Sequence, residues 1–219
     1  MNPFLLVILA YLVGATPTGL WVGKRLYGVD LRTVGSGNLG ATNTLRVLGW
    51  KAAVPVMLVD VLKGWLPTWL FPSLDYESSA WGWALAYGAA AILGHMFSVW
   101  VRFRGGKGMA TGAGVFLALA PWAVLGGLVL WTTLTFATGY VSVGSIAAAA
   151  ALPLLVALTP HAGGRAVLWF SLALGAFVVW AHRGNIRRLV RGEENRFRGG
   201  RPEPEAPAET VEEGGEFRA

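Results

Sequence analysis

The chain predicts an all-α, polytopic membrane protein with seven transmembrane helices, its N-terminus outside and its C-terminus in the cytoplasm. Three observations carry that prediction. Of 219 residues, 54% are hydrophobic and only 14% charged, where a soluble domain averages about 25% charged. The 30 glycines and 11 tryptophans match the glycine enrichment of membrane helices and the tryptophan belt of membrane interfaces. The apolar runs are too long for barrel strands, which need only about 10 residues. With no cysteine, disulfides and thiolate chemistry are excluded.

Taken in order, residues 3–23 form the first apolar span, with Pro17 inside it. It lacks a basic n-region and outruns a signal-peptide core, so it reads as retained. Residues 24–51 read as a polar loop, and residues 52–72 as a second span carrying Asp60 and Lys63. A short acidic link with Asp75 and Glu77 leads to a third span over 80–101, ending near His95. Residues 109–138 are too short for two full spans of about 20 residues each. They read as a hairpin of two short or tilted helices turning at Pro121-Trp122. Residues 141–159 and 165–182 complete the seven. Residues 1–198 thus form one membrane domain, and 199–219 a Pro/Glu/Gly-rich tail expected to be disordered.

Basic residues set the orientation. Lys24, Arg25, Arg32, Arg46, Lys51, Arg102, Arg104, Lys107 and everything basic after Arg165 fall on one side, which the positive-inside rule makes cytoplasmic. The opposite side keeps Arg165, with Asp75 and Glu77. The net charge of +6 is therefore explained by topology and lipid headgroups rather than by nucleic acid.

Every unusual polar motif lies on that basic side. Gly35-Ser36-Gly37-Asn38-Leu39-Gly40-Ala41-Thr42-Asn43-Thr44-Leu45-Arg46 has glycines, amides, hydroxyls and an arginine but no acid. Glycines bring backbone N–H groups close to a ligand, and N–H nests with a guanidinium bind anions. It reads as a cradle for phosphate or carboxylate; the plainer alternative is a solvated turn. Asp60 and Lys63, three apart on one helix, are either a self-satisfied ion pair or a lysine offered to an anion. His95 precedes the basic loop Gly105-Gly106-Lys107-Gly108, an arrangement suited to proton handling beside a phosphate, or to a structural hydrogen bond. That loop departs from the G-x-x-x-x-G-K-[ST] nucleotide pattern, which argues against ATP. Ser142 can cap the sixth span, bind ligand, or both. His182 and Asn185 are ligand candidates, whereas Arg187, Arg188 and Arg191 read as a basic membrane flank. With three histidines and few acids near these motifs, no metal set or cofactor is expected.

These blocks, in this order, resemble the bacterial acyl-phosphate:glycerol-3-phosphate acyltransferases, the PlsY family. The resemblance rests on Gly35 to Asn43, Asp60-Val61-Leu62-Lys63-Gly64, Gly94-His95-Met96-Phe97 with Gly105 to Gly108, Tyr140-Val141-Ser142, and His182-Arg183 with Asn185-Ile186-Arg187-Arg188-Leu189. It implies a seven-helix fold in the bacterial plasma membrane with its active site on the cytoplasmic face. It also implies acyl transfer from acyl phosphate to the sn-1 hydroxyl of glycerol 3-phosphate, giving lysophosphatidic acid and phosphate in the first step of phospholipid synthesis. Partners would be the two substrates, membrane lipid and the upstream acyl-phosphate-forming enzyme, with no cofactor. The H-x-x-x-x-D motif of other glycerophosphate acyltransferases is missing, since Trp100 stands five residues after His95. Ser98 stands where the family usually has proline, and Arg104 where it has lysine.

The resemblance nominates Ser36 and His95 as catalytic residues. Phosphate and substrate binding fall to Gly37, Asn38, Gly40, Thr42, Asn43, Arg46, Lys63, Gly105, Gly106, Lys107, Gly108, Ser142, His182 and Asn185. Phosphate is a good leaving group, so positioning and oxyanion stabilisation matter more than a strong nucleophile. Direct attack by the glycerol hydroxyl is favoured, its proton going to His95 or to the departing phosphate. A covalent acyl-Ser36 with His95 as base is the alternative, disfavoured because no acid in the sequence clearly completes a triad. An organic-anion transporter would suit broken helices and an anion site, but the motifs lie on one side and no inverted repeat is evident. A membrane scaffold would leave the two basic glycine loops unexplained.

Overall fold

The structure is a computed structural model describing residues 1–75 and 81–197. Glu77 and the tail expected to be disordered lie outside the described residues. Among the described residues all regular structure is helical. In chain order the helices are α1 (Pro3–Ala15), α2 (Thr18–Tyr27), α3 (Ala41–Leu48), α4 (Trp50–Leu74) and α5 (Trp81–Met96). They continue with α6 (Met109–Leu119), α7 (Pro121–Thr138), α8 (Val141–Leu158), α9 (Gly164–Ala181) and α10 (Arg183–Arg191). Five are long and apolar enough to cross a membrane, or six if the bent pair α1–α2 counts as one span. The short helix α6 has 11 residues, about 17 Å of rise against a hydrocarbon core of about 30 Å.

Two proline breaks shape the architecture. Pro17 has no N–H and disfavours helical geometry at the residue before it. Thr16 is accordingly extended (φ −54°, ψ 113°), and the single span expected over 3–23 becomes two helices bent by 42°. The freed carbonyl of Thr16 receives the Lys63 ammonium at 2.8 Å. Pro121 occupies the first turn of α7, after Ala120 at φ −149°, so a helix break falls where the turn within 109–138 was expected.

The stretch 24–51, expected as a polar loop, holds the end of α2 and the whole of α3. Its apolar residues Leu31 and Leu39 are buried with Leu20 and Val101 in a small core of their own. Polar spacing hid that helix, because the residues that fold it are few and irregularly placed.

The helices pair as α1 on α5, α4 on α6, α7 on α8 and α8 on α9. Close approach is set by reciprocal small residues, the usual device where lipid removes the hydrophobic drive between helices. A Cβ on Gly64 would lie 2.1 Å from the Thr111 carbonyl oxygen, and one on Gly114 would lie 2.0 Å from that of Val61. The α4–α6 pair therefore has no room for a side chain at either point. The expected outcome is that Gly114→Val costs about 2–3 kcal/mol through overpacking. Thermal unfolding in detergent checks this, with Gly82→Ala, which meets nothing within 4 Å, as the neutral comparison.

Candidate active site

One cavity of about 510 Å³ joins most of the polar motifs. Its polar end is built from helix N-termini, where the first N–H groups have no intrahelical acceptor and the dipole favours an anion. Gly40, Ala41 and Thr42 open α3, Gly108, Met109 and Ala110 open α6, and Val141 and Ser142 open α8, all of them on the cavity wall. Three cations, Arg46, Lys107 and Arg188, line the same end. Much of the remaining wall is apolar, including Val61, Phe116, Leu128, Trp131, Leu152 and Leu174. A dense set of donors thus faces one end of an oily cleft.

The cradle is held from within. Asn43 is buried, its amide donating to the carbonyls of Val34 at 3.1 Å and Leu31 at 3.3 Å. Its Oδ1 accepts from the Ser36 N–H at 2.8 Å and from Arg46 Nη1 at 3.4 Å. The Asn38 Oδ1 accepts from the Gly40 N–H at 2.9 Å. Asn43, expected as a binding residue, therefore scaffolds the loop and aims Ser36 and Arg46, while Ser36 and Thr42 stay exposed on the cavity wall. Gly37, at φ +68°, makes the turn without lining the cavity.

The second basic block behaves differently from expectation. The N–H groups of Gly105 and Gly106 are taken by the carbonyls of Met96 at 3.0 Å and His95 at 3.1 Å, so these amides do not face an incoming phosphate. A Cβ on Gly106 would fall 2.1 Å from His95 Nε2; the glycine is needed for the loop to fold against that ring. Lys107 and Gly108 do reach the cavity. The Lys107 ammonium donates to Asn185 Oδ1. Burial, then Arg188 and Arg46, lower its pKa to about 8, against the opposing pull of Glu194.

Lys63 is also placed away from the main cavity. It lines a small neighbouring pocket with Gly105, Gly106 and Ser98, bonded to Asp60 at 2.7 Å and the Thr16 carbonyl at 2.8 Å. The ion-pair alternative holds. Asp60 also accepts from Thr18 at 3.2 Å and stands 4.0 Å from His95 Nδ1. His95 lines both pockets, wedged between Asp60 and Gly106. It shares the main cavity with Ser36, but among the described residues no hydrogen bond joins the two. Ser98 donates to the Ala15 carbonyl, a bond that proline could not make.

At the other side of the mouth, Ser142 does not cap α8: Tyr140 is the cap residue, with no side-chain bond. The Ser142 hydroxyl is buried without a complete hydrogen bond among the described residues and lies beside Glu194, whose charged form it supports. His182 Nδ1 lies 2.8 Å from the Val178 carbonyl. A carbonyl only accepts, so Nδ1 carries the proton. In the neutral ring with Nδ1 protonated, Nε2 can only accept.

The sequence reading missed two residues here. Arg188, read as a membrane flank, faces the cavity and binds Glu194 at 2.7 Å. Glu194 also accepts from Asn185 at 2.6 Å. Its carboxyl pKa is lowered by the bonds from Asn185 and Arg188 and by the nearby Ser142 hydroxyl, which together outweigh its burial. The segment returns to the membrane end of α8 through the Phe197 N–H to the Gly139 carbonyl at 2.6 Å and Arg196 to the Tyr140 hydroxyl at 3.2 Å. A usable signal existed: no acid stands between Glu77 and Glu193, and this pair follows the basic helix directly.

Comparison with known proteins agrees with the geometry. Residues 4–192 match the family model for glycerol-3-phosphate acyltransferase. A glycerol-3-phosphate acyltransferase of Trichlorobacter lovleyi is 46% identical over 189 residues, covering 86% of this chain and 94% of the relative. That of Geobacter sulfurreducens is 43% identical over 198 residues, covering 90% and 99%. The crystal structure of PlsY, an integral membrane glycerol 3-phosphate acyltransferase, in its glycerol 3-phosphate form, superposes with a TM-score of 0.79 at 41% identity, covering 89% of this chain and 95% of that one. Its lysophosphatidic acid form gives 0.77 at 39% identity, covering 89% and 94%.

The lowered pKa of Lys107 has a measurable consequence. Its charge is present below about pH 8 and lost as pH rises through that value. Affinity for inorganic phosphate should fall about tenfold between pH 7 and pH 9, read by titration calorimetry. Lys107→Arg should flatten that fall, because a guanidinium stays charged throughout the range.

Proposed function

We propose that this chain, which belongs to the glycerol-3-phosphate acyltransferase family, moves a fatty acyl group from an acyl phosphate to the sn-1 hydroxyl of glycerol 3-phosphate, releasing lysophosphatidic acid and phosphate. The observation that carries this reading is the continuity of the cavity: phosphate donors at one end, an apolar cleft at the other. An acyl phosphate has the same two-part shape. The related crystal structures are described as glycerol 3-phosphate and lysophosphatidic acid forms, which are the acceptor and the product of this reaction.

In this reading Arg46, Lys107, Arg188 and the N-termini of α3, α6 and α8 neutralise the two phosphates. Ser36, Asn38, Gly40, Thr42, Gly108, Ser142 and Asn185 position them. Asn43, Gly37, Gly105, Gly106 and Lys63 act through the scaffold. The glycerol hydroxyl attacks the acyl carbon directly, the C–O bond to phosphate breaks, and phosphate leaves with the electron pair. Donors already fixed at the mouth stabilise the developing oxyanion, a contribution of typically 3–4 kcal/mol per donor. The hydroxyl proton passes to the departing phosphate or to a nearby base. The bare Nε2 of neutral His182 can accept a hydrogen bond from the attacking hydroxyl, whereas an ionised phosphate offers it no proton. The packing of His95 between Asp60 and Gly106 favours a positioning role for it over that of a base for Ser36. No cofactor or metal enters the scheme.

The topology that goes with this function has seven spans, α1–α2 as one broken span and α6–α7 as a hairpin of two. The N-terminus is outside, and the site and C-terminus face the cytoplasm of a bacterial plasma membrane. Glycerol 3-phosphate then arrives from the cytosol, and the acyl phosphate from an upstream acyl-phosphate-forming enzyme at the same face. This first committed acylation feeds phospholipid synthesis.

Phosphate release by the purified protein, supplied with acyl phosphate in detergent or lipid mesophase, tests the reading. Release should depend on glycerol 3-phosphate. Ser36→Ala and Lys107→Ala should each lower it by about 10²–10³-fold. Release that ignores glycerol 3-phosphate, or none from folded wild type, would overturn the assignment; a trapped acyl-Ser36 would overturn direct attack.

A further inference from the structure

The lipid-facing side of α9 does not stop where that helix ends. Its exposed residues from Ala166 onward include Trp169, Leu172, Ala173, Ala176 and Trp180, spaced three or four apart or adjacent, as on one helix face. Trp169 is 68% exposed and Trp180 51%, and α9 is long and apolar enough to cross a membrane, so this face meets lipid. The junction to α10 keeps the helical phase. The His182 N–H donates to the Val178 carbonyl at 3.1 Å, and the Ile186 N–H to the His182 carbonyl at 2.9 Å. The same face therefore continues beyond Trp180 with Arg183, Arg187 and Arg191, again three or four apart and all exposed.

No carboxylate pairs with these three arginines among the described residues; Glu194 is taken by Arg188. Arg183 lies over the Trp180 ring, 4.1 Å from its centroid, and donates to the Trp180 carbonyl at 3.3 Å, and neither contact neutralises its charge. Exposed aliphatic side chains border the stripe, Ile186 at 37% and Val190 at 83%. Arginines beside exposed aliphatic residues, following a tryptophan at the end of a span, are what a helix resting on a membrane surface carries. Little else holds α10. Apart from the end of α9 it has no substantial packing partner among the described helices. Yet its inward side brings Asn185 and Arg188 to the phosphate end of the cavity.

We infer that Arg183, Arg187 and Arg191 form a docking stripe for anionic phospholipid headgroups of the surrounding bilayer, and that docking holds Asn185 and Arg188 in the cavity. Charge complementarity selects the occupant: the stripe is a row of cations with no acid between them, set where a lipid-facing surface leaves the hydrocarbon. Arginine stems lie along apolar surface while their guanidinium forks reach phosphodiester oxygens. A bilayer presents several such headgroups at one level, so the row is engaged together, whereas dissolved phosphate would meet three separate exposed side chains. Docking stands on this geometry alone; the coupling to turnover rests on the acyl-transfer reading above. The enzyme then runs faster as its membrane becomes more anionic.

Native mass spectrometry of the full-length protein, offered equal amounts of phosphatidylglycerol and phosphatidylcholine in detergent, reads docking directly. Wild type should retain phosphatidylglycerol over phosphatidylcholine by about tenfold or more. Combining Arg183→Gln, Arg187→Gln and Arg191→Gln should reduce that preference to about twofold, while lysine at the same three positions should keep most of it. Combining Arg25→Gln, Lys51→Gln and Arg104→Gln, exposed cations off the stripe, should also keep most of it. No preference in wild type, or an equal loss in that second glutamine variant, overturns the stripe. A preference that appears only after residues 199–219 are removed assigns the stripe to the glutamate-rich tail and overturns lipid as its occupant. Turnover of hexadecanoyl phosphate with glycerol 3-phosphate is then compared in vesicles of phosphatidylcholine with and without phosphatidylglycerol. Wild type and the lysine variant should run about threefold faster or more in the mixed vesicles, and the stripe glutamine variant should show no gain. Equal wild-type rates in the two vesicles, or a stripe glutamine variant that gains as wild type does, overturn the coupling. No turnover in either vesicle by wild type that keeps its lipid preference sinks the acyl-transfer reading and leaves the docking stripe standing.

Discussion

The buried Lys63–Asp60 ion pair is the joint on which the site depends. Both side chains are almost fully buried, 2.7 Å apart, and neither charge could stay in an apolar bundle without the other. The rest of their hydrogen bonding comes from what the chain breaks nearby. Pro17 splits the first span and frees the Thr16 carbonyl, which Lys63 takes. Thr18, first residue after the break, donates to Asp60. The same carboxylate faces His95, and His95 in turn backs the glycine loop that delivers Lys107 to the cavity. One compensated pair of charges thereby fixes the relative positions of α1, α2, α4 and α5 and the start of α6.

The cavity solves an electrostatic problem in a different way. In the proposed reaction two phosphates meet beside an apolar wall, and loose cations there would need partners of their own. Helix N-termini supply partial positive charge with no counter-ion and no side-chain entropy. The cations present are restrained: Arg46 by Asn43, Lys107 by Asn185 and Arg188 by Glu194. Glu194 is the acid that balances this end, and the segment carrying it is tied to the start of α8 through Phe197 and Arg196. The donors are held in place by bonds within the protein, which suits the proposed reaction, whose leaving group is already activated.

Much of this was legible in the sequence, because motifs of glycine, amide and base stand out in an oily chain. Ser36, Arg46, Lys107, Ser142, His182 and Asn185 come together in one cavity although they are spread over most of the chain. The helix break at Pro121 was legible for the same reason a proline is: its effect on the backbone is local. What could not be read were consequences of three-dimensional pairing. Nothing in the composition says whether a glycine's N–H faces ligand or a neighbour's carbonyl, and those of Gly105 and Gly106 are taken by the carbonyls of Met96 and His95. The hydrogen bonds of Asn43 and Lys63 were hidden likewise, as their partners Leu31, Val34 and Thr16 contribute only backbone carbonyls, which every residue has. Arg188 and Glu194 were hidden because a basic flank and an acid after it look alike whether they point to solvent or inward.

The two ends of the cavity also differ in how strictly they can select. At the polar end a ligand lacking its phosphate would leave three helix N-termini without an anion, and unpaired groups of that kind are costly. At the apolar end, Leu, Val, Ala and Phe side chains discriminate only by volume, and one methylene is worth about 1 kcal/mol. Specificity for the head of the substrate is therefore written in identifiable residues, and specificity for its tail is spread thinly over an apolar wall. That asymmetry explains why a sequence can announce a phosphate ester so clearly and stay silent on which acyl chain it carries.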